Sequence, residues 1–230
     1  MPNWCDNRLK IAGDSKEIAR FIKAVSKLDD DGDTCYSILN SLLPTPTELE
    51  ETPALFGTRD EERMAEHNKL VERNKEKYGF ADWYNWRLHH WGTKWNDSDT
   101  YLPNEFEEGD TATEFRFQTA WSPCVEGIVR ISEQFPALVF VLSFAEMGFG
   151  FVGAIGAWDG EMTAEHELDF PDPSKFEGED IDEDQSYVDW YNAVFDLMEQ
   201  AENLVISDFH ISYQRLFDGI RPFDQLSPVE

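Results

Sequence analysis

Hydrophobic and polar positions change period several times along the chain, and each change marks an element. Residues 4–12 alternate, with Leu9 and Ile11 on one side, which predicts a strand. The next stretch, DSKEIARFIKAVSKL, repeats at helical spacing. Ile18, Phe21, Ile22 and Val25 share a face, and Asp14 or Ser15 can cap the helix. DDDGD then closes it as a turn. CYSILNSLLPTP predicts a second strand, stopped by Pro44 and Pro46. A charged helix with a thin apolar stripe follows in DEERMAEHNKLVERNKEKYG. ADWYNWRLHHWG predicts a short aromatic helix with Asp82 near its start and Gly92 after its end.

Alternation returns at residues 113–120, and SPCVEGIVRISEQFP predicts a helix with Ser122 as N-cap and Pro123 in its first turn. ALVFVLSFAE and GFGFVGAIGAWDGE predict a hairpin joined at Met147–Gly148, and EMTAEHELDF a further strand. Residues 171–184 have little to bury and predict a loop. SYVDWYNAVFDLMEQAENL predicts a helix, whereas VISDFHISY fits strand or helix. Two strand–helix–strand passages define the class as α+β. The expected architecture is a ferredoxin-like antiparallel sheet with two crossover helices, a helical insertion and an acidic C-terminal helical extension. The expected boundaries are 1–52 plus 111–170 for the ferredoxin-like domain and 53–110 for the insertion. Residues 171–230 form the acidic extension, packed on the same domain.

Charge alters this picture more than length does. The 230 residues carry 47 acidic and 19 basic side chains, a net charge of −28. Residues 1–100 hold 19 acidic and 14 basic groups, while residues 101–230 hold 28 and 5. Residues 159–189 contain 13 acidic groups and a single basic one, Lys175. Such a field repels nucleic acid and anionic membranes and favours a cationic protein partner. It reads either as a heavily solvated surface or as a face that imitates nucleic acid. The residues proposed for contact with a partner are Glu165, Glu167, Asp169, Glu177, Glu179, Asp180, Asp182, Glu183 and Asp184.

Residues 79–99 concentrate aromatics: Trp83, Tyr84, Trp86, Trp91 and Trp95, with His89 and His90 among them. Such a helix reads as a core layer or as part of a ligand pocket. The pocket would be lined by Trp4, Asn7, Trp86, His90, Trp91 and Trp121. Adjacent histidines point about 100° apart on a helix and do not chelate one ion together. Asp29, Asp31 and Asp33 alternate as in a calcium loop, but Thr34 stands where that loop needs glycine. Cys5, Cys35 and Cys124 show no CxxC spacing, which fits free thiols in a reducing compartment. GFGFVG precedes no helix and is not a phosphate loop. No acid, base, nucleophile and orienting group form a set, so no catalytic residue, metal or cofactor is expected. The N-terminus lacks the pattern of a secretory signal, and no apolar run suits a membrane span.

MPNWCDN, DWYNWRLHHWGTKWN, FQTAWSPC and AEMGFGFVG occur in order over residues 1–155. Together they resemble the YubB-like family of ferredoxin-like proteins encoded by plasmids and bacteriophages. The resemblance implies a ferredoxin-like domain without established enzymatic activity, in the cytoplasm of a bacterial host. With the charge, it leads to the expectation of an anti-defence protein. This would be a nucleic-acid mimic that occupies the nucleic-acid-binding surface of a host protein or complex, such as a defence nuclease. The alternative is a small-molecule or nucleotide-binding protein that uses the aromatic pocket without catalysis.

Overall fold

The computed structural model describes residues 2–53, 61–176 and 183–213, with side chains omitted at 61–63, 183, 184 and 210–213. The first strand, β1 (Trp4–Gly13), alternates as its sequence requires. Cys5, Leu9 and Ile11 face one side, and Arg8 and Lys10 the other. Helix α1 (Ser15–Val25) starts at Asp14, whose carboxylate accepts from the Lys16 and Glu17 amides. Ile18, Phe21 and Val25 are buried along its predicted stripe. Phe21 meets Phe115, Phe135 and Phe140 at ring distances of 5.8, 5.1 and 5.7 Å, in the tilted and edge-on arrangements aromatic pairs prefer.

The second predicted strand is corrected. Only Thr34–Tyr36 (β3) is extended, paired with β2 (Ser26–Leu28) in a two-stranded hairpin. The DDDGD turn joins them, with Asp29 accepting from the Asp31 and Asp33 amides. Leu39–Leu42 is instead a helical turn, α2. The buried Asp97 carboxylate decides this by accepting from the Ile38 and Leu39 amides at 2.8–3.0 Å. A cap supplied from a segment nearly sixty residues away overrides local strand preference.

After a short helix, α3 (Thr47–Glu50), come the charged α4 (Glu61–Tyr78) and the aromatic α5 (Trp83–His90), which Asp82 caps as predicted. A strand absent from the sequence reading follows, β4 (Ser98–Tyr101). It pairs with β5 (Ala112–Ala120), so the 53–110 segment contributes an edge to the main sheet. Helix α6 (Val125–Glu133) begins at Cys124 rather than Ser122. The Ser122 hydroxyl donates to the Gly92 carbonyl instead, tying this loop to the end of α5.

Strands β6 (Leu138–Glu146), β7 (Phe151–Trp158) and β8 (Glu161–Leu168) complete a six-stranded sheet in the order β4-β5-β1-β6-β7-β8. Both β5 and β6 run antiparallel to β1, which lies between them, so β5–α6–β6 is a split βαβ unit. One sheet face packs on α1, α5 and α6 through the principal core. The other packs on α7 (Glu183–Tyr213), whose Val194, Met198, Ala201, Val205 and Phe209 are buried over β6, β7 and β8. VISDFHISY is therefore the continuation of this helix. No helix among the described residues is long and apolar enough to cross a membrane.

Candidate functional site

Three surfaces are candidates, and two of them carry the residues singled out by the sequence. The first is β8, an outer edge of the sheet. Ala164, His166 and Leu168 turn toward α7, where Ala164 and Leu168 join apolar clusters and His166 Nε2 lies 2.7 Å from Asp208. Pleating therefore sends Glu165 and Glu167 to the opposite face, where both are exposed, and Asp169 is exposed just beyond the strand. None of the three has an ion-pair partner among the described residues. Thr163 sits at a register shift that bulges the edge. Glu177, Glu179, Asp180 and Asp182 lie outside the described residues, as do the side chains of Glu183 and Asp184.

The second surface is aromatic. Trp86 is buried and stacks on His90, one helical turn later, with ring centres 4.1 Å apart and planes 13° apart. His90 Nδ1 lies 2.9 Å from the Trp86 carbonyl, which can only accept, so this nitrogen carries the proton. Burial lowers the His90 pKa, opposed by that backbone contact. Trp91 is fully buried and donates from Nε1 to the Leu43 carbonyl. Asn7 is buried beneath the sheet and donates to Thr119 and to the Cys5 carbonyl.

Trp4 and Trp121 stand at the sheet end, partly exposed, against Trp95 and Phe149 respectively. Trp121 is held at φ 72°, a costly conformation for a bulky residue. The six residues proposed for one pocket thus divide among α5 and its end, the buried side of β1 and the end of the sheet. Trp86, His90 and Trp91 come together, largely as core.

The third surface went unseen in the sequence. α7 covers β6–β8 and reaches β1 through Glu202, but its Tyr191–Met198 stretch stands off β4, β5 and β1, leaving a groove of about 330 Å³ between them. Its floor contains Asp6 and Arg8 from β1 and Arg116 and Gln118 from β5. Tyr191, Phe195 and Met198 form the α7 wall, and Tyr101 on β4 the opposite rim.

A charge network lies under the groove. Glu202, fully buried on α7, is 2.6 Å from Lys10 Nζ and 3.8 Å from Arg8 Nη1, and accepts from Ser143 at 2.9 Å. Glu114 accepts from Arg116 Nε at 2.8 Å and is 3.8 Å from Arg8 Nε. Burial works to lower the Arg116 pKa, but Glu114 and, to a smaller extent, Tyr101 outweigh it and leave the group above its ordinary value. Burial raises the Asp6 carboxyl, against the hydrogen bond it accepts from Gln118 at 2.8 Å. The Tyr191 phenol is raised by burial and by the Asp6 charge.

Sheet, split βαβ unit and covering helices define a ferredoxin-like α+β protein. Residues 90–190, from the end of α5 into α7, match the family described as the ferredoxin-like domain in Api92-like protein. Among solved structures, protein api92 from Yersinia pseudotuberculosis is similar at 11% identity and a TM-score of 0.44, covering 75% of this chain and 100% of that one. No curated protein matches the chain in sequence. Among the described residues, no group of three or more His, Cys, Asp or Glu could hold a metal ion.

Proposed function

We propose that this chain is a non-catalytic binding protein whose acidic β8 edge docks on a cationic, nucleic-acid-binding surface of a protein partner. The resemblance of its PNWC and WGTKW elements to plasmid- and phage-encoded proteins makes that partner a host defence protein, inhibited by nucleic-acid mimicry in the bacterial cytoplasm. The observation that carries this reading is the segregation of charge. Arg8, Lys10 and Arg116 are engaged by Glu114 and Glu202 on the α7 side of the sheet. The exposed Glu165 and Glu167, and Asp169 beyond them, have no such neutralisation among the described residues.

Alternate strand residues on one face are about 6.8 Å apart, against about 3.4 Å per phosphate along one DNA strand. The strand alone supplies roughly half that linear density, so the acidic residues 177–184, further along the sequence, belong to the same proposal. The test is capture of a partner from bacterial lysate, followed by affinity measurement with the triple variant Glu165→Lys, Glu167→Lys, Asp169→Lys. Affinity falls roughly tenfold or more, duplex DNA competes with the protein, and salt from about 0.05 to about 0.5 M mimics the loss. Affinity unmoved by both charge reversal and salt excludes the electrostatic account.

A further inference from the structure

We propose that the groove between α7 and the β4-β5-β1 half of the sheet binds a small aromatic oxyanion, a carboxylate or phosphate attached to a flat ring. The Arg8 side chain is only 16% exposed, yet lines this groove. Its two ionic contacts, to Glu114 and Glu202, are both 3.8 Å long. Neither is a hydrogen bond, so the fork of guanidinium N–H donors is left without a hydrogen-bond partner among the described residues. A largely buried side chain whose guanidinium donors stay open to the groove suits a planar or tetrahedral oxyanion in bidentate fashion. Arg116, the direct cross-strand neighbour of Arg8, adds a second positive charge.

The ring requirement comes from the walls. Tyr191 and Phe195 lie on the same side of α7 with ring centres 4.7 Å apart, and Tyr101 faces the groove from the other rim, 49% exposed. The volume of about 330 Å³ lies at the lower end of small-ligand pockets, roughly 300–1,000 Å³, which fits one ring and its acidic group. Asp6 and Asp99 also line the groove; Asp6 is engaged by Gln118, and neither lies within ion-pair distance of either arginine. These two carboxylates repel a second anionic group, which favours a ligand with a single one, seated against the arginines.

The experiment titrates the full chain with AMP, 4-hydroxybenzoate and inorganic phosphate by calorimetry, and follows the arginine Nε–H signals by NMR. A ring-bearing anion binds with one-to-one stoichiometry, roughly tenfold or more tighter than phosphate, and moves the Arg8 signal. AMP alone binding identifies a nucleotide source, and 4-hydroxybenzoate alone an aryl carboxylate. Arg8→Lys keeps the charge but removes the fork, and Tyr191→Ala removes a half-exposed ring. Each weakens binding roughly tenfold, whereas the triple lysine variant of β8 leaves it unchanged. No binding of any probe at millimolar concentration, phosphate binding as tightly as the ring-bearing anions, or an unmoved Arg8 signal overturns the proposal.

Discussion

Replacing Glu202 with Gln tests whether charge, rather than shape, fastens the long C-terminal helix to the sheet. The change is nearly isosteric, so the packing of Ala201 and Val205 on the apolar cluster beside it is kept. What is lost is a carboxylate at 2.6 Å from Lys10 and 3.8 Å from Arg8. At an effective dielectric of about 20 these contacts are worth about 6 and about 4 kcal/mol before desolvation is counted. The mutation leaves two cations whose side chains are only 15% and 16% exposed, with one carboxylate, Glu114, still near Arg8.

Breaking a buried pair typically costs about 3–5 kcal/mol, and residual solvent access to the cations puts this case at the lower end. A loss of that size lowers the melting temperature of a chain this long by roughly 6–12 °C. Urea titration followed by circular dichroism reads the midpoint and slope, and thermal melts read the rest. In the double variant Lys10→Gln/Glu202→Gln part of the loss is recovered, because the first change removes a cation the second would strand. A loss under about 1 kcal/mol with an unchanged urea slope refutes the reasoning, since the network would then be no stronger than a surface pair.

Two further outcomes follow from buried groups. Cys5 and Cys124 are fully buried and their thiols are pushed well up, chiefly by burial, while Cys35 is exposed on the β2–β3 hairpin. Ellman's reagent therefore titrates one thiol rapidly in the native protein and all three in denaturant, and three fast thiols would contradict the core placement. His90 has a folded pKa below its ordinary value of 6.5, so the unfolded chain takes up its proton first. Its contribution to stability is full above about pH 6.5 and is lost as pH falls below that value. NMR titration of the imidazole in the native protein checks this, and a pKa at or above 6.5 would contradict the partial burial of the ring.

Local pattern was enough for the elements whose information is local. The 3.6-residue spacing of Ile18, Phe21 and Val25, the Asp14 and Asp82 caps, and the alternation of β1 and β5 all carried through. The concentration of acidic groups over residues 159–189 was equally plain, and pleating alone put Glu165 and Glu167 on one face. Tertiary contact decided the rest. Leu39–Leu42 is helical because Asp97 caps it across the fold, and β4 is a strand because β5 offers it an edge. Arg8, Lys10, Glu114 and Arg116 read as ordinary alternating strand residues. They become a network only when β1 and β5 lie side by side and α7 brings Glu202 over them. A sequence fixes which side of a strand a residue occupies, because the pleat has a period of two. It does not fix which distant charge will stand opposite, because that depends on register and on how far a covering helix reaches.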